Sequence, residues 1–172
     1  MDSATAMSVA RAPMREAKLL PVDLDVERRS DGVIVIKSRI PLRAYDANLP
    51  AAFAHTAAAK GDKPAMAKRN ADGAWDFVSY AEMKRRMDGA AQWLLDNAPK
   101  GRSLLILADN GPNFAVMTFA GWAAGMPVCP VSTAYAALGG DFGRLKHMVA
   151  KAKPAVIFAE SARALAAVQQ ID

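Results

Sequence analysis

Residues able to do chemistry are few in this sequence, and their spacing argues against most of what they could do. The two histidines, His55 and His147, each fall in a stretch of helical periodicity. Neither has a Ser, Cys or carboxylate at a separation that builds a nucleophile and its base. The one cysteine, Cys129, sits in the apolar run 128–131 beside Pro130, where a thiol is expected to be buried, neutral and unreactive. No Cys/His cluster has metal-ligand spacing, and one cysteine closes no internal disulfide, so a reducing, cytoplasmic setting is expected. Neither G-x-G-x-x-G nor G-x-x-x-x-G-K-[ST] occurs, which removes the common glycine cradles for nucleotide phosphates. Two glycine-bearing stretches remain. Asn110-Gly111-Pro112-Asn113 reads as a helix start, with proline where the N–H would have no helical partner; its functional alternative is an anion on the helix N-terminus. Gly139-Gly140-Asp141 carries the same two readings and follows a long loop at the C-terminal end of a strand, the edge where open α/β sheets bind ligands.

Those loops must be held by a sheet. Leu104 to Ala108, Val128 to Val131 and Ala155 to Ala159 are continuous apolar runs, too short for helices and bounded by turn residues, as expected of parallel strands buried on both faces. Between them lie Pro112 to Ala124, apolar nearly all round and stopped by Gly125 and Pro127, and Asp141 to Lys151, with Leu145, Met148, Val149 and Ala152 on one stripe. Both read as crossover helices. Ser161 would cap a further helix over Ala162 to Gln170, giving β-α-β-α-β-α, the beginning of a doubly wound sheet.

In front of the sheet, Val22, Leu24 and Val26 alternate, as do the residues from Val33 to Lys37, and they flank Ser30-Asp31-Gly32: a β-hairpin. A helix is expected from Asn48 to Ala59, with Leu49, Ala52, Phe53 and Thr56 on one face, closed near Gly61. A second hairpin joins Ala65 to Arg69 with Trp75 to Val78 through Asn70-Ala71-Asp72-Gly73. Ser79-Tyr80-Ala81-Glu82 is a capping box, in which the Ser hydroxyl accepts from the third helical N–H and Glu82 reaches back to the cap. The helix it opens runs to about Asn97, with Tyr80, Met83, Met87, Ala90, Ala91, Leu94 and Leu95 as its apolar face. Trp75, Trp93 and Trp122 fall on three separate elements and are expected as core or interface anchors.

Composition narrows the class. With 52% hydrophobic and 23% charged residues the 172-residue chain is neither disordered nor fibrous. A chain of this length buries roughly 70% of its unfolded surface. The net charge of +5 is spread along the chain, 16 basic against 13 acidic residues in the first hundred and 6 against 4 in the rest. The short runs Arg28-Arg29, Lys68-Arg69 and Lys84-Arg85-Arg86 have no interleaved aromatic platform, so no nucleic-acid partner is expected. The longest apolar stretch, about 114–129, is broken by Gly121, Gly125 and Pro127, and no membrane span is expected. The N-terminus has no apolar core of a signal peptide, and residues 1–20 are expected as a loose tail.

Several ordered motifs together resemble the N-terminal part of the adenylate-forming acyl-CoA synthetases, and more closely the feruloyl-CoA synthase type. Trp75-Asp76-Phe77-Val78-Ser79-Tyr80-Ala81-Glu82-Met83 is similar to the family's strand followed by [ST]-Y-x-E-[LM], and the segment from Ala120-Gly121-Trp122 to Pro130-Val131-Ser132 is similar to its helix and strand ending in P-[VI]-[NS]. The feruloyl-CoA synthase likeness is carried by Val131-Ser132-Thr133-Ala134-Tyr135, Asp141-Phe142-Gly143-Arg144-Leu145-Lys146-His147, Lys153-Pro154-Ala155-Val156-Ile157-Phe158-Ala159 and the hairpin at Val26-Glu27-Arg28-Arg29-Ser30-Asp31-Gly32. It covers residues 20–172. The implied fold is α/β: N-terminal hairpins and helices leading into an incomplete doubly wound parallel sheet, with residues 21–172 a partial N-terminal domain and parallel β-α units from about 103.

Members of the family join a carboxylic acid to AMP using ATP and magnesium, then pass the acyl group to coenzyme A after a domain rotation. The resemblance implies ATP, Mg2+ and coenzyme A for a complete enzyme. The family's Ser/Thr/Gly-rich phosphate loop with its Lys, its Tyr-x-x-Thr-Glu block, its ribose-binding Asp, its hinge and its C-terminal catalytic Lys have no counterpart in these 172 residues. Without a cradle for the triphosphate, the isolated chain is expected not to adenylate. The resemblance places one wall of a coenzyme A site at Ser132, Thr133, Ala134 and Tyr135, after the second parallel strand, and at Arg163 beyond the third. The expected partner is the remainder of the ligase or a full-length paralogue, with self-association through exposed apolar surface. A non-catalytic interaction module and a free-standing nucleotide-binding domain are the alternatives from other classes.

Overall fold

A computed structural model describes Leu19 and residues 21–137 and 140–171. Two compact units, Met1–Ala44 and Tyr45–Asp172, divide the chain. The expected loose tail lies almost wholly outside the described residues.

The first unit is a hairpin of β1 (Leu24–Arg28) and β2 (Ile34–Ser38), antiparallel with Val26 opposite Ile36. Gly32 supplies the turn's positive φ of 86°, and the Asp31 carboxylate accepts from the Val33 N–H at 3.0 Å. Alternation puts Leu24, Val26, Ile34 and Ile36 on one face, where they remain 45% to 61% exposed, and Asp25, Glu27 and Lys37 on the other.

The second unit begins with α1 (Leu49–Lys60), whose Asn48 cap accepts from the Ala51 N–H at 2.9 Å and whose end is set by Gly61. The antiparallel pair β3 (Pro64–Arg69) and β4 (Trp75–Ser79) follows, its turn drawn together by the Asn70 side chain, which accepts from the Asp72 and Ala74 N–H groups. Helix α2 (Tyr80–Asn97) opens on Ser79, whose hydroxyl accepts from the Glu82 N–H at 3.1 Å. The other half of the expected capping box is not made. The Glu82 carboxylate turns outward to the Arg85 and Arg86 guanidiniums, at 2.7 to 2.8 Å. These hydrogen bonds, Arg85 first and Arg86 second, hold its pKa down at about 2. Met83, Met87, Ala91 and Leu94 form the buried stripe. Leu95, expected on that face, is 52% exposed, because one residue past Leu94 the helix has turned by 100°.

The parallel sheet has the order β6-β5-β7, built from β5 (Ser103–Leu107), β6 (Val128–Pro130) and β7 (Pro154–Ala159), with Leu105 opposite both Cys129 and Ile157. Leu104 to Leu107 are 0% exposed, which explains the unbroken apolar run: Leu104 and Ile106 meet α2 and α3 (Pro112–Ala123), while Leu105 and Leu107 meet the elements on the opposite face. Those elements are α4 (Ala134–Ala137), α5 (Gly143–Ala152) and α6 (Ala162–Val168). Full burial of each such side chain stabilises by roughly 1.5–3 kcal/mol. Gly121 lets α3 lie against the sheet, since a Cβ there would meet Val128 Cγ2 at 2.6 Å and Leu104 Cδ2 at 3.0 Å.

At the opposite edge Arg102 donates twice to the Lys153 carbonyl, at 2.9 and 2.7 Å, and the Ser103 hydroxyl donates to the Ala152 carbonyl. This ties the start of β5 to the start of β7 and holds Lys153 at its left-handed φ of 43°. Two expectations are corrected. Cys129 is half-buried rather than sealed, because β6 is an edge strand of the described sheet. Of the two readings of Trp75, Trp93 and Trp122, core or interface anchors, the core one does not hold, because all three are exposed. Trp75 lies under the Arg69 guanidinium at 4.5 Å, and Trp122 meets Phe119 edge-on at 5.2 Å.

Candidate functional site

The carboxyl edge of the sheet gathers the chemistry. Each parallel strand ends here in a polar residue: Asp109 after β5, Ser132 and Thr133 after β6, and Ser161 with Arg163 after β7. A cavity of 280 Å³ opens between them, lined by Asp109, Thr133, Ala134, Ser161 and Arg163 with alanines of α4 and α6. The Thr133 hydroxyl donates to Asp109 Oδ1 at 2.6 Å, which pins the loop after β6 to the end of β5. Ser161 caps α6 by accepting from the Ala164 N–H at 3.1 Å, and Arg163 in the first turn donates to the Ala137 carbonyl. One guanidinium N–H is used there; the remaining donors have no partner among the described residues.

Of the five residues singled out in the sequence, the structure brings Thr133, Ala134 and Arg163 to one cavity. Ser132 and Tyr135 are not in its wall. The Ser132 hydroxyl accepts from the Ala134 N–H at 3.3 Å, and the Tyr135 ring lies 5.8 Å from the Arg144 guanidinium. Ala134 and Tyr135 belong to the single turn α4 rather than to an extended loop. Asp109 was missed. Its signal was positional, two residues beyond a central strand on the ligand-binding edge.

The other candidates separate. At the start of α3, Gly111 makes no side-chain cap, and Asn113 donates to the Glu160 carboxylate at 3.0 Å, so a negative charge already stands beside that helix start. Gly139 lies outside the described residues. Asp141 Oδ1 accepts from the Gly143 N–H at 3.0 Å, and α5 begins two residues later than expected, after Phe142 at a φ of 54°. His55 pairs with Asp46, Nδ1 to Oδ1 at 2.5 Å, on the exposed side of α1; His147 is exposed on α5. No three His, Cys, Asp or Glu side chains converge among the described residues, so none of them is assigned to a magnesium ion. No described helix is long and apolar enough to cross a membrane.

Comparison with known proteins places this geometry. The N-terminal subdomain of NpsA from Klebsiella oxytoca, in complex with 3-hydroxyanthranilyl-AMSN, superposes with a TM-score of 0.55 at 14% identity, over 72% of this chain and 31% of that one. CmiS6 matches at 25% identity with a TM-score of 0.53, over 69% of this chain and 29% of its own. A fatty acyl-adenylate ligase from L. pneumophila, in complex with acyl adenylate and pyrophosphate, gives 0.50 at 16% identity, over 61% and 18%. The chain thus spans less than a third of the length of these relatives. No curated protein matches its sequence. The AMP-binding enzyme model matches residues 53–172, the larger part of the second unit including the whole sheet edge, and the chain belongs to that family, with the fold of the N-terminal subdomains of adenylate-forming enzymes.

Proposed function

We propose that this chain is the N-terminal portion of an ATP-dependent acid–CoA ligase of the feruloyl-CoA synthase type, which converts a carboxylic acid to its acyl-adenylate and then to the acyl-CoA. The observation that carries the reading is the family match over 53–172. The feruloyl-CoA synthase type rests on the motifs around Ser132–Tyr135, Asp141–His147 and Lys153–Ala159. Within it, Ser132, Thr133, Ala134, Tyr135 and Arg163 form one wall of the coenzyme A site. The cavity at the sheet edge fits that role in part: 280 Å³ admits a segment of the cofactor, and Arg163 has N–H groups without a partner among the described residues that could meet an anionic or carbonyl oxygen. Coenzyme A would supply the thiol that accepts the acyl group; these residues would hold and orient it.

The partner in this reading is the rest of the ligase chain. Its docking edge is β7, which pairs on one side only among the described residues and is half-buried along its whole length. The test compares the 172-residue chain with the protein encoded by the same gene read beyond codon 172, assayed for ferulate-dependent ATP–pyrophosphate exchange and for CoA thioester formation. Exchange by the longer protein alone, with Arg163→Ala raising the KM for coenzyme A and leaving exchange unchanged, is the expected result. Exchange by the short chain overturns its proposed inactivity. A longer protein that activates other acids but not hydroxycinnamates overturns the feruloyl-CoA synthase type.

A further inference from the structure

The amino edge of the parallel sheet holds a further cavity, of 470 Å³, which shares no lining residue with the one at the carboxyl edge. It opens between the starts of β5 and β6 and the turn that leads from α5 into β7. Its charges are of one sign. Arg102, Lys151 and Lys153 line it and no carboxylate does, and none of these three cations has a carboxylate partner among the described residues. The rest of the wall is chiefly apolar, with Pro127, Val128 and the half-buried Cys129 on the β6 side.

The fold places these cations together. Arg102 and Lys153 each come one residue before a paired position, Ser103 opposite Pro154, and Lys151 lies in the last turn of α5. The carboxyl end of a helix ordinarily repels an anion. Here its carbonyls are covered, because Arg102 donates through Nε and one terminal nitrogen to the Lys153 carbonyl and the Ser103 hydroxyl donates to the Ala152 carbonyl at 2.8 Å. The same pair of bonds fixes the plane of the guanidinium and uses two of its five N–H groups; the other three have no partner among the described residues. One fixed fork and two ammonium groups suit a tetrahedral dianion, whose several oxygens meet all three cations, whereas a single carboxylate leaves charge unmatched. An acidic peptide strand fits less well, since its docking edge would be β6, three residues long and ending in Pro130, which has no N–H to offer. We infer that this cavity binds a small phosphate monoester, its phosphate on Arg102, Lys151 and Lys153 and its apolar body against Pro127, Val128 and Cys129.

The test is an NMR titration of the 172-residue chain with phenyl phosphate, with inorganic phosphate and with sodium chloride at matched ionic strength, above the second phosphate pKa of about 6. Phenyl phosphate is expected to shift the Arg102 Nε–H, the Val128 methyls and the Cys129 amide in a saturable way at millimolar concentration, and to bind more tightly than inorganic phosphate. Chloride is expected to leave these signals in place. Lys151→Gln should weaken phenyl phosphate about threefold, as befits an exposed charge, and Lys151→Gln with Lys153→Gln about tenfold. Lys84→Gln removes the same charge from α2, where Lys84 is paired with Asp88, and should change nothing. Both lysines of the cavity are exposed, so the fold does not depend on them. Shifts that chloride reproduces, shifts spread over the basic residues of other elements, or a loss as large with Lys84→Gln as with Lys151→Gln each overturns the site. Inorganic phosphate binding as tightly as phenyl phosphate overturns the apolar body of the ligand. Sedimentation of the chain with vesicles containing phosphatidic acid, with no shift from phenyl phosphate, overturns a soluble ligand in favour of a lipid headgroup.

Discussion

The two hairpins of this chain are built from the same local chemistry and end in different circumstances. Each has a short polar turn closed by a positive-φ glycine, Gly32 in one and Gly73 in the other, and a side-chain oxygen that gathers the turn's N–H groups. In β3–β4 the inward residues Met66 and Val78 meet Met83, Met87 and Val116, so the hairpin shares the core of its unit. In β1–β2 the apolar face is 45% to 61% exposed, and no buried hydrophobic core forms around it among the described residues of the unit. Turn chemistry therefore sets where a hairpin forms, and burial sets what it contributes; a two-stranded ribbon alone is at best marginal in water.

That contrast can be broken or sharpened by substitution, with unfolding in urea as the measure. Met83→Ala removes the floor beneath β3–β4 and should cost about 3 kcal/mol. Met66→Ala, on the hairpin itself and half-buried, should cost about 1.5 kcal/mol, less than a sealed core position. Ser79→Ala deletes the cap at the β4–α2 junction and should cost about 1 kcal/mol. Ile36→Ala, on the exposed face of β1–β2, should change stability by less than about 0.5 kcal/mol. A cost above about 1 kcal/mol there would mean that the face is covered in solution and that the two hairpins are alike after all.

The smallest effect concerns Glu82, in the first turn after the second hairpin. Its folded pKa of about 2 is below the ordinary value of 4.5, so its contribution is present above pH 4.5 and is lost as pH falls toward 2. The carboxylate is a third exposed, and salt should weaken the effect. Direct titration of the Glu82 carboxyl by NMR should place its midpoint near 2; a midpoint near 4.5 would show that Arg85 and Arg86 do not hold it in solution.

Much of this architecture was legible from residues because its signals are short-range. Asn48, Ser79 and Ser161 sit where they cap, and the Leu104–Leu107 run reads as a strand buried on both faces because it is one. What escaped depends on competition or on distance. Glu82 could cap its helix or pair with either arginine, and the spacing alone favours neither. The single turn at Ala134–Ala137 is too short to leave a periodicity. At the candidate site, the β6 loop and Arg163 were legible only through family likeness, whereas Asp109 joins them through Thr133, 24 residues away in sequence, which no local pattern encodes. The core half of the reading of the tryptophans failed because size predicts burial only on average, and Arg69 gives Trp75 a partner at the surface.

The central position of β5 has a consequence for how the chain acquires its structure. The strand made first is flanked by two made later, and the Arg102–Lys153 clasp joins residues 51 apart. As the chain leaves the ribosome, Leu105 and Leu107 have no second neighbour until β7 has emerged. The sheet must therefore close by a late, long-range event rather than grow outward from a finished nucleus, and loops of that length make closure slow relative to the helices around it.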